Sequence, residues 1–185
     1  MTRAIHILNG SHLSERYLAS IARGVEQVFN VHTYVEPASF DLDRAYDDSR
    51  CQYSSAVLLS ELLAGLLTAS NEKWIAIVDV DLYIPVLTFI FGEAQFNGSI
   101  AIVSTHRLSN QFYGLPQDAT KLVERLEKEI VHELGHMFGL YHCRQFECVM
   151  RSSTYVEEID LKRTGLCSGC GSLIRNTRQT TEPSS

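Results

Sequence analysis

The sequence contains no apolar run long enough to cross a membrane. Its longest apolar stretches, residues 56–67 and 74–80, are interrupted by Glu61 and Asp79, and both are shorter than the roughly 20 residues that a transmembrane helix needs. No apolar segment of signal-peptide length follows the basic residue near the N-terminus. We therefore expect a soluble, cytoplasmic protein that has no membrane partner.

Positive charge is also scarce, since 16 lysine and arginine residues face 22 aspartate and glutamate residues and leave a formal net charge of −6. Such an acidic balance argues against a chain built to bind nucleic acid. Hydrophobic residues make up 45% of the 185 residues and charged residues 21%, which is typical of a globular domain and excludes a disordered chain. This length accommodates one domain, and we expect a monomer.

Short apolar segments alternate with helical patterns along most of the chain. Apolar runs predict strands, while apolar residues at spacings of three and four predict helices. The predicted strands cover residues 3–8, 31–35, 74–79 and 99–104, and the predicted helices start at Ser14, cover residues 52–67 and start near Asp118. Residues 40–49 are predicted to be an exposed loop and residues 81–98 an irregular segment. This alternation indicates an α/β fold with a largely parallel sheet.

The longest helical pattern carries a histidine motif, H-E-L-G-H, at residues 132–136. Residues four apart lie on one helix face, so His132 and His136 project side by side and can bind one zinc ion at about 2.0–2.1 Å. Glu133 lies next to the first histidine, where its carboxylate flanks the metal instead of binding it. That position suits a general base that acts on a zinc-bound water.

A catalytic zinc site needs a third protein ligand, and His142 is the candidate. If the helix continued, a residue six positions after His136 would point away from the metal. Gly139 removes this difficulty because glycine adopts a left-handed conformation at little cost, which ends the helix and turns the chain back. We therefore predict a site of three histidines with an open fourth position for water.

Four of the five cysteines lie within the last 43 residues. In a chain without an export signal, cysteine pairs at short spacing indicate a metal site before they indicate disulfides. Four thiolates complete a closed tetrahedral zinc site, and zinc would supply folding energy to a C-terminal part that has few apolar residues. Disulfides and a redox-active C-x-x-C motif are the weaker alternatives. The predicted ligands are Cys143, Cys148, Cys167 and Cys170, whereas Cys51 is expected to be a small buried hydrophobic residue.

The segment from His132 to His142 resembles the signature of the metzincin metallopeptidases, H-E-x-x-H-x-x-G-x-x-H followed by a turn that contains methionine. Met150 fits that turn, and the resemblance gives it the role of a packing floor beneath the histidines; the alternative is an ordinary core methionine. Because the cysteines begin directly after the third histidine, the chain closely resembles the archaemetzincins. Residues 79–83, 91–94 and 104–108 are also similar to that family.

The resemblance implies one catalytic and one structural zinc ion per chain and a peptide or protein substrate. It also implies a zincin-like fold: a twisted, mostly parallel sheet with an antiparallel edge strand plus helices, an active-site helix that ends at Gly139, and a small C-terminal subdomain stabilised by zinc. In metzincins an edge strand pairs with extended substrate, and residues 99–104 are the candidate here. We expect residues 1–139 to form an N-terminal subdomain, residues 140–175 a cysteine-rich subdomain, and residues 176–185 a disordered tail.

The remaining polar residues are interpreted as structural or solvated. Four histidines have no partner at ligand spacing, and two acidic residues are too few for a cation site. The basic residues near the C-terminus indicate a solvated face rather than a nucleic-acid surface. These residues are His6, His12, His32 and His106; Asp79 and Asp81; and Arg144, Arg151, Lys162, Arg163, Arg175 and Arg178.

Together these features predict zinc-assisted peptide hydrolysis in which Glu133 takes a proton from water and delivers it to the leaving amine. The competing hypothesis is a non-catalytic zinc module that recognises a partner through its basic, cysteine-rich C-terminal part. The intact Glu133 and the open fourth ligand position favour the enzyme. The natural substrate, and the choice between aminopeptidase and endopeptidase, stay open at the level of sequence.

Overall fold

Strands and helices alternate along the computed structural model, which describes residues 2–65 and 71–179. The elements are β1 (Ala4–Asn9), α1 (Glu15–Phe29), β2 (Thr33–Pro37), β3 (Tyr46–Asp47), β4 (Gln52–Ser54), α2 (Ser55–Gly65), β5 (Glu72–Val78), β6 (Leu82–Tyr83), β7 (Gly92–Ala94), β8 (Ile100–Ser104), α3 (Ala119–Met137), α4 (Val156–Asp160) and α5 (Ser168–Gln179). This order confirms the predicted α/β class. Within the described ranges, no helix is both long enough and apolar enough to span a bilayer.

Five strands form the main sheet in the order β2-β1-β5-β8-β7. The first four strands are parallel to one another. The last strand, β7, runs antiparallel to β8, with Glu93 opposite Ile102. The sheet is therefore mostly parallel with one antiparallel edge strand, as expected, and a small second sheet has the order β3-β4-β6.

The prediction that residues 99–104 form an edge of the sheet is wrong. They contribute β8, which is hydrogen-bonded to β5 on one side and to β7 on the other. The edge strand is β7, which lies in the segment predicted to be irregular. Its three residues, Gly-Glu-Ala, show no alternation of apolar and polar side chains and so carry no strand signal of their own. Pairing with the apolar β8 makes this segment a strand.

The small second sheet also falls in segments that the sequence pattern assigned differently. β3 lies in the predicted loop 40–49, and β6 lies in the predicted irregular segment 81–98. β4 takes the first residues of the predicted helix 52–67, so that α2 begins at Ser55. Strands of two or three residues are too short for a periodic pattern, and pairing between distant segments determines them.

The hydrophobic core lies on both faces of the main sheet, because successive side chains of a strand point to opposite sides. On β5, Ile75 and Ile77 belong to the apolar cluster that includes α1 and α3, whereas Ala76 and Val78 belong to the cluster that includes α2. The site-bearing helix α3 packs against β7, β8 and α1. This position holds α3 beside the edge strand of the sheet.

The C-terminal part of the chain shares the core of the N-terminal part. Val149, Met150 and Ile159 are fully buried in the same apolar cluster as β5 and α3, and Ile174 of α5 joins them. The few apolar residues after Gly139 therefore need no separate core. Helix α5 extends to Gln179, into the predicted disordered tail, and residues 180–185 of that tail lie outside the described residues.

Candidate active site and metal centres

Helix α3 carries two of the three predicted histidine ligands. Asp118 caps its N-terminus by accepting a hydrogen bond from the backbone N–H of Lys121, at 2.9 Å. Near its C-terminus the Nε2 atoms of His132 and His136 lie 3.1 Å apart. Two nitrogens that bind one tetrahedral zinc ion at about 2.05 Å are about 3.3 Å apart, so the spacing fits a shared metal.

Backbone carbonyls orient both imidazoles. The Nδ1 of His132 donates to the carbonyl of Val149, and the Nδ1 of His136 donates to the carbonyl of Leu140, each at 2.8 Å. A proton held on Nδ1 leaves the lone pair on Nε2, which is the arrangement that outer partners impose on histidine ligands in metal sites. The sequence could not indicate the Val149 acceptor, because the tertiary fold places it.

Gly139 ends α3 in the way the sequence predicted. Its φ of 85° is left-handed, and its N–H donates to the carbonyl of His136, while the N–H of Leu140 donates to that of Gly135. These two bonds form a Schellman motif, which reverses the chain at a helix end. The reversal brings the ring centroid of His142 within 5.3 Å of that of His132 and 4.9 Å of that of His136.

The three histidines converge as a candidate metal centre. One nitrogen from each ring lies within 4.8 Å of the others. Burial lowers the pKa of His132 to about 3 and also lowers the pKa values of His136 and His142. All three rings are therefore neutral at neutral pH, and the neutral imidazole is the form that binds zinc.

Glu133 is buried beside this centre at the edge strand. A Cβ atom on Gly92 of β7 would lie 2.9 Å from both Cγ and Oε1 of Glu133, so only glycine allows the strand this close to the carboxylate. Burial, reinforced by the nearby carboxylates of Glu129 and Glu93, raises the pKa of Glu133 well above its usual value. A carboxylate with a raised pKa is a more effective proton acceptor near neutral pH.

Met150 packs against α3 between the two helical histidines. It is fully buried, and a Cβ atom on Gly135 would lie 2.2 Å from its Sδ atom. The carbonyl of Met150 also accepts a hydrogen bond from the N–H of Cys143, at 2.9 Å. The methionine turn is thereby attached both to the helix and to the segment that follows His142.

The four C-terminal cysteines also converge. The Sγ atoms of Cys143 and Cys167 are 3.8 Å apart, those of Cys148 and Cys170 are 3.9 Å apart, and all four lie within 4.8 Å of one another. A tetrahedral zinc site with Zn–S bonds of about 2.3 Å has sulfur atoms about 3.8 Å apart, whereas a disulfide needs about 2.05 Å. The geometry therefore fits zinc.

Cys51 differs from its prediction as a buried residue. It is exposed and has a left-handed φ of 53° in the turn before β4. The positive φ is a feature of the turn, and turns lie at the surface because their backbone groups need water.

A cleft of about 390 Å³ opens onto Glu133 and the three histidines. Ile84 and residues 87–92 line it together with residues of α3 and residues 152–154. Lys162 and Glu129 also line the cleft, and the sequence interpretation missed both. Lys162 is 4% exposed and so does not belong to a solvated basic face. The local sequence carried no signal of this burial, because Lys162 follows the end of α4 in a segment rich in basic residues.

Two other polar residues singled out from the sequence, His6 and Asp81, have structural partners. His6 stacks on Trp74, with ring centroids 3.8 Å apart, and its Nδ1 lies 2.6 Å from a carboxylate oxygen of Glu36. Asp81 accepts two hydrogen bonds from Arg107, at 2.6 and 2.7 Å. These contacts account for the histidine and the acidic residue without a metal ion.

Known proteins resemble the chain along most of its length. A model of the family described as Peptidase family M54 matches residues 14–176. The archaemetzincin of Thermococcus kodakarensis is 34% identical over 180 residues, which cover 94% of this chain and 97% of the relative. The archaemetzincin of Haloquadratum walsbyi is 40% identical over 135 residues, which cover 71% of this chain and 76% of the relative.

Solved structures share the fold as well. The zinc-dependent peptidase from Methanocorpusculum labreanum is 29% identical and gives a TM-score of 0.84, covering 92% of this chain and 99% of that one. The archaemetzincin from Methanopyrus kandleri is also 29% identical and gives a TM-score of 0.82, covering 96% of each chain.

Proposed function

Because this chain belongs to peptidase family M54, the archaemetzincins, and is a zinc metalloprotease, we propose that His132, His136 and His142 hold its catalytic zinc and that Glu133 is its general base. The observation that carries the proposal is the placement of a buried carboxylate beside three convergent, neutral imidazoles at the wall of an open cleft. A structural role alone would not require the cleft or the carboxylate.

Zinc, when bound by the three histidines, supplies the Lewis acid that polarises the scissile carbonyl and lowers the pKa of the attacking water. Glu133 accepts the proton of that water as the water attacks the carbonyl carbon. The same carboxyl group then donates the proton to the leaving amine, which completes hydrolysis. Its raised pKa favours the first transfer, because a higher pKa makes the carboxylate a stronger base.

We further propose that a second zinc ion is bound by Cys143, Cys148, Cys167 and Cys170 and stabilises residues 140–175 against residues 1–139. Cys148 and Cys170 are buried in the common core, so a metal there would hold the segments of the C-terminal part together where they pack against the N-terminal part. Four thiolates leave no position for water, which is the pattern of a structural site.

The substrate is proposed to be a peptide that lies extended along β7. This strand is the outer strand of the main sheet, and its Gly92 lines the cleft beside Glu133. An extended peptide can add to such an edge through backbone hydrogen bonds, which would hold the scissile bond next to the carboxylate.

The proposal is tested by Glu133→Ala in zinc-loaded protein, with a peptide library digested and read by mass spectrometry. We expect the zinc content to stay at its wild-type value and the hydrolysis rate to fall by about 10²–10⁴-fold, the contribution of a general base. Glu124→Ala, at an exposed glutamate of the same helix, is the matched control and should keep full activity. Wild-type turnover by zinc-loaded Glu133→Ala would rule out the mechanism.

A further inference from the structure

The wall of the cleft contains a buried pair of opposite charges that the proposed mechanism does not use. The Nζ atom of Lys162 lies 3.8 Å from an Oε1 atom of Glu129, and the two side chains are only 1% and 6% exposed. This separation is longer than a hydrogen bond. Within the described part of the chain, Lys162 Nζ, Glu129 Oε1 and the Oγ atom of Ser153, which lines the same cleft, have no hydrogen-bond partner.

Buried charges of this kind need additional hydrogen bonds. An ion pair removed from water recovers its desolvation cost only when its remaining donors and acceptors are satisfied. The Lys162 ammonium has three donors, and the Glu129 carboxylate has two acceptor oxygens. The pair therefore lacks part of its hydrogen bonding, and both of its residues line the cleft.

The pair lies next to the proposed catalytic groups. Glu129 precedes Glu133 by one turn on α3, and residues four apart share a helix face. Lys162 follows α4 and lines the same cleft as Glu133 and the three histidines. A substrate residue that flanks the scissile bond would thus direct its side chain toward Lys162 and Glu129.

We propose that Lys162 and Glu129 form a specificity pocket for a carboxamide side chain, glutamine or asparagine, at a position that flanks the scissile bond. The carboxamide oxygen accepts a hydrogen bond from the Lys162 ammonium, and the carboxamide nitrogen donates one to the Glu129 carboxylate. This assignment rests on the proposed function, because it places the scissile bond at the histidine centre beside Glu133.

Other side chains fit the pair less well. A carboxylate side chain is attracted by Lys162 but repelled by Glu129, and the carboxylates of Glu133 and Glu93 are also nearby. A cationic side chain is repelled by the Lys162 ammonium. An apolar side chain leaves both buried charges unpartnered while it excludes water from them, which is the costliest outcome for a polar site.

The experiment measures the binding of peptidyl hydroxamates that differ only in the side chain next to the hydroxamate. The four side chains are those of glutamine, glutamate, lysine and leucine, and affinities for zinc-loaded protein are measured by calorimetry. For the wild-type protein we expect the glutamine compound to bind at least about tenfold more tightly than each of the other three. Equal or tighter binding of the leucine, glutamate or lysine compound would overturn the assignment.

Two variants test whether the preference for glutamine depends on Lys162 and Glu129. Lys162→Met/Glu129→Met replaces the pair with apolar residues of similar size, which proteins often tolerate, and should make the leucine compound the tightest binder. Glu129→Gln keeps the shape of the pocket but adds a donor, so the glutamate compound should gain about tenfold relative to the glutamine compound. Arg163→Met, at the exposed neighbouring cation, is the control and should keep the wild-type order.

The two proposals can fail separately. A glutamine preference in protein that hydrolyses no peptide would overturn the proposed function and leave the pocket assigned. Hydrolysis that depends on Glu133, together with a wild-type order of affinities in both pocket variants, would overturn the pocket and leave the peptidase mechanism intact.

Discussion

Gly135 occupies a position on α3 where glycine is unusual, and Gly135→Ala tests the reason. In a helix interior, alanine is favoured over glycine by about 1 kcal/mol, so the substitution should stabilise an isolated helix. In this protein the new Cβ atom would lie 2.2 Å from Sδ and 2.9 Å from Cε of Met150. Carbon and sulfur atoms in contact need more than 3.5 Å, so Met150 would have to move by more than 1 Å.

The magnitude follows from the lack of space around Met150. This side chain is fully buried in the common core, so any movement displaces other core residues. Overpacking of this kind costs about 1–3 kcal/mol, and we take the upper part of that range because the overlap is large. After subtraction of the helix-propensity gain, Gly135→Ala should lower the free energy of unfolding by about 2 kcal/mol.

Urea denaturation of the zinc-loaded protein at a fixed free zinc concentration measures this loss. The same substitution made in a Met150→Ala background should instead stabilise by about 1 kcal/mol, because only the helix preference remains. Gly65→Ala, at the exposed end of α2 where a Cβ atom meets nothing within 4 Å, is the control and should not destabilise. Equal effects of Gly135→Ala in the two backgrounds would refute the packing argument.

Two further predictions concern the thiolates and the end of α3. Cys148→Ser should release one of the two proposed zinc ions, as measured by elemental analysis. Cys51→Ser changes an exposed thiol and is the control that should keep both ions. Equal zinc contents in the two variants would contradict the thiolate site. Burial lowers the pKa of Lys73 from 10.5 to about 8, and its ammonium donates to the carbonyls of Gly98 and Met137. Between pH 8 and 10.5 the unfolded chain binds more protons than the folded one, so Lys73 makes stability rise with pH over this window. Melting curves of Lys73→Met should lack this rise, and an unchanged pH dependence would disprove it.

Local spacing allowed the histidine centre to be predicted from the sequence. The separation of His132 and His136 by four residues is sufficient to place them on one helix face, and a glycine three residues later is sufficient to end the helix. The order of β1, β2, β5 and β8 and of the first three helices was predictable for the same reason, since apolar periodicity is a local property. These features depend only on residues that are close in the sequence, within one or two helical turns.

Features that depend on distant segments were not predictable. The edge strand β7 exists because β8 pairs with it, and three residues cannot show a period. The burial of Lys162 depends on how the chain after Met150 packs against Glu129, which composition does not encode. A lysine in a basic segment is normally solvated, so only the tertiary fold reveals that this one faces a cleft.

His142 and Cys143 are consecutive residues that belong to the two different proposed metal sites, and the N–H of Cys143 is bonded to the carbonyl of Met150. Binding at one site therefore restricts the conformations available to the other. Thermodynamic linkage is reciprocal, so any factor by which thiolate-bound zinc tightens the histidine site equals the factor in the opposite direction. A zinc ion held by the thiolates would therefore already restrain the segment that carries the third histidine, and a zinc ion held by the histidines would restrain Cys143 in the same way.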